Sequence, residues 1–312
     1  MNPPQHDPTR LLRRLSWTGA VLAFGLIVLG GVVRITGSGM GCGDHWPRCN
    51  GQWFPPLDLP TLIEIGHRWA AALVSLVVLA MAAVAWIRHR SNGALRNPAT
   101  LAFAILVIQV LLGAVTVKLA LPPGVVIVHL ANAMVLLAVI LVTALRATSG
   151  GSTPGGRHAA HRMVQVTAAL GFVVILFGAK VANLHAGLLC LGFPMCQDAV
   201  LPSSGLAFLP WAHRMLAFGF LAAILTLAVR LSRRSDPASR ALRRSVAIAL
   251  AATVLQIGVG AAMVLGFLPP GLRAAHLLMG TLVWATLVIL VFYSGRTPAA
   301  EIEAARVHPE PS

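Results

Sequence analysis

The sequence predicts an all-α integral membrane protein, with eight transmembrane helices forming two four-helix bundles that are parallel repeats of each other. Three observations carry this. Of 312 residues, 57% are hydrophobic and only 11% are charged, whereas a soluble domain carries about 25% charged residues. Apolar runs of the roughly 20 residues needed to cross a bilayer recur along the chain. The second half of the chain repeats the first.

In chain order the spans are 15–36, 63–87, 100–120, 125–146, 162–183, 209–231, 243–266 and 272–294. The first follows Arg10, Arg13 and Arg14, as a signal peptide would. It is too long for one and lacks a clear small-residue cleavage site, so it is read as an uncleaved helix. The segment "RITGSGMGCGDHWPRCNGQWFPP" (34–56) separates it from the second span, far longer than the few residues a helix connection needs. Its glycines 37, 39, 41 and 43 let the backbone turn tightly, and Trp46 and Trp53 suit a membrane interface. A basic loop (88–99) leads to the third span, and a Leu-Pro-Pro-Gly turn to the fourth. The flexible stretch "ATSGGSTPGG" then opens the linker. After it come the fifth span, a second cysteine loop, the sixth span, a basic loop (232–242), the seventh span, a second Leu-Pro-Pro-Gly turn and the eighth span. The predicted domains are an N-terminal half (1–146), a linker (147–161), a C-terminal half (162–294) and a tail (295–312).

The net charge of +15 points to the membrane rather than nucleic acid, because basic residues collect in cytoplasmic loops. The N-terminal segment, the loops at 88–99 and 232–242, the linker and the tail hold most of the arginines. Both termini are therefore expected in the cytoplasm and both cysteine loops outside.

The repeat is explicit. "QVLLGAVTVKLALPPGVVIVHL" (109–130) and "QIGVGAAMVLGFLPPGLRAAHL" (256–277) are identical at 10 of 22 positions, including Gln109/Gln256 and His129/His276. At a shift of 146, His67-Arg68 aligns with His213-Arg214 and Arg34 with Lys180. Repeats of this length signal architecture, and four-helix bundles hold cofactors between facing helices.

His67, His129, His213 and His276 each lie near the start of an even-numbered span, so all four are expected at one depth near the outer face. Two imidazoles facing each other across a bundle suit haem iron, which takes axial nitrogens. No cysteine or acid cluster at that depth completes a zinc-type set of four. Ionisable residues within spans are usually functional. A haem also brings carboxylates, for which Arg34, Arg68, Lys180 and Arg214 are candidate propionate partners; snorkelling to lipid phosphate is the alternative. Of nine acids only Glu64 lies within a span, and the matching residue of the second half is Pro210. The halves thus share ligands and differ in one group able to move protons or stabilise positive charge. Four cysteines allow three pairings. Cys42–Cys49 and Cys190–Cys196 are the economical ones, each within a single short loop, for loop bracing or for redox work.

"GGVVRITGSGMGCGDHWPRCNGQWFPP" followed by "EIGHRW" resembles the haem A synthase family, and the resemblance covers nearly the whole chain. It implies a cell-membrane enzyme that oxidises the C8 methyl of haem O to a formyl group, by successive hydroxylation and loss of water. It also implies a bound haem b on His213 and His276, with His67 and His129 addressing the haem O substrate. Glu64 matches the acid of the family motif, and Cys42 and Cys49 its outer loop pair. Partners would be haem O, the bilayer, and haem O synthase or other cytochrome oxidase assembly proteins, with a homo-oligomer also open. Two other classes share part of the pattern. A di-haem b-type electron carrier or quinol oxidoreductase would share the four histidines without needing Glu64. A transporter would share the parallel repeat without needing two histidine pairs.

Overall fold

The computed structural model describes residues 7–56, 58–151, 158–196, 201–202, 205–234 and 237–296. Residues 152–157 of the expected linker and 297–312 of the expected tail lie outside them.

Among the described residues there are eight α-helices: α1 (Arg10–Ile35), α2 (Leu59–Arg88), α3 (Gly93–Lys118), α4 (Pro123–Thr148), α5 (His161–Asn183), α6 (Phe208–Ser232), α7 (Pro237–Leu265) and α8 (Pro270–Ser294). All eight are long and apolar enough to cross a membrane, as a backbone without water must satisfy its polar groups internally. The chain is a multi-pass membrane protein.

Helix ends are set by local chemistry. Asp58 caps α2, its carboxylate accepting the Thr61 N–H at 3.1 Å; the Thr61 hydroxyl and amide hold its carboxyl below the ordinary value. Asn92 caps α3 in the same way. The Pro-Pro pairs place proline at the first turn of α4 and α8, where no N–H is missed. Four helices, α1, α2, α3 and α7, start four or more residues earlier than hydropathy suggests. α2 begins at its cap rather than at residue 63. α7 runs through the basic turn from Pro237, whereas its apolar span begins at Leu242. Polar residues can be helical without being membranous, and an apolar window does not see them.

The chain divides into two compact units, Met1–Thr153 and Pro154–Ser312. In the first, α1 packs on α2 and α4, and α3 on α2 and α4, closing a four-helix ring; α5–α8 close the second in the same order. Small residues line the contacts (Ala20, Ala23, Ala82, Ala85, Ala99 and Ala102 are buried), because helix association in lipid relies on close backbone approach. Larger side chains such as Met81, Met134 and Ile140 fill the first ring, and Ile224, Leu227 and Leu287 the second. The end of each unit away from its cysteine loop is tied by hydrogen bonds. In the first, the Thr9 hydroxyl donates to the Ala147 carbonyl at 3.0 Å and Arg146 to the Ala94 carbonyl at 3.0 Å. In the second, the buried His158 ring meets Ser239 Oγ at 2.9 Å through Nε2 and its backbone N–H donates to the Ser294 carbonyl at 2.9 Å, tying α7 and α8 to the start of α5.

Candidate functional site

The long first loop closes over the start of α2. After α1 a single 3-10 turn (Ser38–Met40) leads to Gly41, whose backbone lies on α2's first turn. A Cβ there would stand 2.5 Å from the Pro60 carbonyl carbon, so only glycine fits. Gly43 instead supplies a backbone turn at φ +62. The glycines thus divide between turning and close approach. Cys42 and Cys49 form a disulfide, as do Cys190 and Cys196, and Cys42, Cys49 and Cys190 are buried.

Glu64 is the anchor of this loop. It is 3% exposed. One carboxylate oxygen accepts the Cys42 backbone N–H at 2.8 Å, and the other accepts from Arg68 Nη2 at 2.5 Å. Glu64 and Arg68 are one helical turn apart, the favourable order for an acid and a base on one helix. Arg68 reaches onward with Nη1 to the carbonyls of His45 and Arg48, each at 2.8 Å. The second half uses the same guanidinium without the acid. Arg214 is buried and donates to the carbonyls of Cys190 (2.5 Å), Gly192 (2.9 Å) and Met195 (3.2 Å). Pro210 stands where Glu64 would be, so Arg214 has no carboxylate partner among the described residues. The guanidinium's planar fork of donors suits both arrangements.

The four histidines stand about two turns into α2, α4, α6 and α8. Each rests on a glycine of the preceding helix. A Cβ on Gly30, Gly113, Gly178 or Gly260 would come within 3.1, 3.3, 2.9 or 3.0 Å of the Cε1 of His67, His129, His213 or His276 respectively. Four glycines thus leave room for four imidazoles. The Nδ1 atoms of His67, His213 and His276 are buried without a hydrogen-bond partner among the described residues, a costly state for a polar atom that nothing satisfies. The His213 and His276 rings lie edge to face, with centroids 6.5 Å apart and 81° between their planes.

The two halves also part at one amide. Gln109 and Gly113 lie one turn apart on α3, and both meet His129: Gln109 Nε2 is 3.1 Å from His129 Nε2 and 3.4 Å from its Nδ1, so the amide lies against the ring. Asn132, on the same face of α4, donates its amide to Gln109 Oε1 at 2.8 Å and to the Ile105 carbonyl at 3.1 Å. In the second half Gln256 Nε2 is 3.3 Å from His276 Nε2. The Asn132 position is Met279 there, and Gln256 Oε1 is buried without a partner among the described residues.

Sequence reasoning placed the four histidines, Glu64 and the loop cysteines. It missed the four glycines and Asn132. Gly113 and Gly260 are identities within the aligned repeat, and Asn132 is a break in it, so both signals were present. What they meant depended on which helix faces which.

The donor set suits a haem. Among the described residues no three His, Cys, Asp or Glu side chains gather to hold a bare metal ion. A porphyrin brings its own four nitrogens and needs only two axial ones. Two imidazoles bound to one iron through metal–nitrogen bonds of about 2 Å have ring centres roughly 6 Å apart. The 6.5 Å between His213 and His276 fits that, as do the glycine cradles that leave room for each ring.

Eight membrane-length helices in two rings, each offering a pair of imidazoles on glycine cradles, define a polytopic membrane protein fitted to take haem between its helices. The chain belongs to the cytochrome oxidase assembly protein family, whose pattern matches residues 13–288. It is similar to the heme A synthase of Geobacillus kaustophilus, 30% identical over 311 residues, with 94% of this chain and 95% of the relative covered. It is likewise 30% identical over 259 residues to the heme A synthase of Bacillus licheniformis, with 80% and 85% covered. The heme A synthase of a Bacillus cereus strain is 27% identical over 309 residues, with 95% of this chain and 98% of the relative covered.

Proposed function

We propose that this protein is a haem A synthase, an oxidoreductase that converts the C8 methyl of haem O to a formyl group by successive hydroxylation and loss of water. The observation that carries the reading is a duplicated pair of cradled histidines with a buried carboxylate in only one copy. A carrier that merely passes electrons has no use for that difference. The full-length likeness to heme A synthases supports it.

In this reading His213 and His276 hold a resident haem b, which supplies electron transfer when bound. His67 and His129 position haem O in the first half. Glu64, one turn before His67 on the same face of α2, holds a proton or stabilises positive charge developing at the methyl carbon. The Cys42 N–H and Arg68 keep it in place for that work. Arg214, lacking an acid partner among the described residues, is assigned to a haem propionate. Arg34 and Lys180, at the ends of α1 and α5, are assigned the same role. Arg68 is assigned it through the loop it braces. Haem O synthase and other oxidase assembly proteins are the partners that would deliver substrate and take product.

Co-expression with a haem O supply, followed by haem extraction and chromatography, tests the reaction. Haem A is expected in the extract. Haem b alone, with haem O unchanged, overturns the reading in favour of an electron carrier.

The arginine-rich loops support a cell-membrane setting with both termini in the cytoplasm. All four cysteines then lie outside, where disulfides persist. A membrane-impermeant thiol reagent should label intact cells only after reduction. Labelling confined to inside-out vesicles would reverse the orientation.

A further inference from the structure

In the first half, α2 and α3 leave a groove of about 260 Å³ between them. Ser75 and Leu79 line it from α2, and Phe103, Leu106, Val107 and Val110 from α3. Leu106 is buried and makes the floor, whereas Leu79, Phe103, Val107 and Val110 are exposed along the walls. Both helices are long and apolar enough to span the membrane, so the open side meets lipid. Ser75 brings little polarity, because its hydroxyl is spent on the Ala71 carbonyl at 2.8 Å. The groove begins beside the histidine site. Val110 follows Gln109, whose amide lies against the His129 ring. Leu106, Gln109 and Gly113 fall on one face of α3 by their spacing, and the last two meet His129. From Val110 the α3 wall runs to Phe103, about 10 Å further along the helix. On α2, Ser75 lies about 12 Å beyond His67. The repeat breaks here. The second half has Leu221 at the place of Ser75, and Leu221 packs against the core of that ring. A larger apolar side chain thus stands where Ser75 leaves space.

Haem O and haem b differ in one substituent. Haem O carries a hydroxyethylfarnesyl tail where haem b has a vinyl group. A site for haem O must therefore seat a long isoprenoid chain beside the porphyrin, and a site for haem b need not. We propose that the groove between α2 and α3 seats the isoprenoid tail of haem O, with Ser75 as the residue that keeps it open. Leu221 closes the corresponding place in the half assigned to haem b. A tail lying there stays in an apolar medium throughout, entering sideways from the bilayer rather than through water. It would also stop the porphyrin turning about the line of its two axial bonds, a freedom that a pair of imidazoles leaves. This rests on the first half being the site of haem O, as proposed above.

The test uses the full-length holoprotein in phosphatidylcholine nanodiscs, loaded with haem O and titrated with apomyoglobin as a haem acceptor. Haem O and haem b separate by chromatography, so one titration reads both. Ser75→Leu copies the residue of the second half into the groove. It should shift haem O toward apomyoglobin by at least about 10-fold, the low end of what one unaccommodated methylene costs in an apolar pocket. The resident haem b should not move, which also reports that the variant is folded. Val107→Trp fills the groove from the opposite wall and should act alike; it stands as an independent arm should Ser75→Leu fail to accumulate. Haem O partition at the parent value in a variant that keeps its haem b overturns the proposal, and the groove then holds a lipid acyl chain only. His129→Ala separates that failure from failure of the underlying reading. If it leaves haem O partition untouched, haem O is not in the first half. If it lowers retention while the groove variants change nothing, only the tail seat is wrong.

Discussion

Glu64→Gln is expected to lower haem A formation by roughly 10²–10⁴-fold, the usual cost of losing an acid–base group, while the protein keeps haem b. Extracted haems should shift to haem O or a hydroxylated intermediate. The geometry makes this more demanding than a charge deletion. Glu64 accepts from two donors, the Cys42 N–H and Arg68. A glutamine has one acceptor oxygen, so its amide N–H must face one of them. Losing a charge-assisted bond at a buried site costs about 1.5–3 kcal/mol, and the cysteine loop would loosen. Arg68→Gln supplies the control, because it breaks the same ion pair and leaves the carboxylate. If Arg68→Gln loses haem A as fully as Glu64→Gln, the carboxylate serves only to anchor the loop. A clearly milder loss in Arg68→Gln assigns the larger share to chemistry at Glu64.

His213→Ala should remove haem b or convert its low-spin spectrum, since one axial nitrogen is lost. His276→Ala should do the same. His67→Ala and His129→Ala should keep most of the haem b signal and stop product formation. The opposite pattern, with haem b surviving His213→Ala and lost in His67→Ala, would exchange the roles of the halves. The glycine cradle adds a test in which the imidazole is untouched. A Cβ on Gly178 would stand 2.9 Å from His213 Cε1, so Gly178→Val should displace the ring and reduce haem b occupancy. Gly219→Ala is the matched control: a Cβ there meets nothing within 4 Å. Equal haem b content in Gly178→Val and the parent would mean that His213 does not need its present position.

The eight helices were legible because a bilayer imposes a length and a composition on any segment that crosses it, and the repeat because duplicated segments keep their register. The paired histidines and the solitary Glu64 followed from that register, since aligning the halves is enough to expose shared residues and one break. Caps and polar helix ends were less legible. Asp58 starts α2 and a basic turn starts α7, and neither is apolar.

By itself, then, the sequence determined the membrane class, the internal repeat and which side chains are candidates for the chemistry. These depend on composition and spacing along one chain. Only the tertiary structure decided what those side chains do to one another. It made Glu64 a loop anchor as well as a candidate catalyst. It set a glycine of the neighbouring helix beneath each imidazole. It also turned Asn132 from a lone polar residue into the group that orients Gln109 toward His129. Such relations join residues on different helices. Their hydrogen bonds and close contacts depend on distance and direction in space, which the helix-to-helix packing sets and one-dimensional spacing does not.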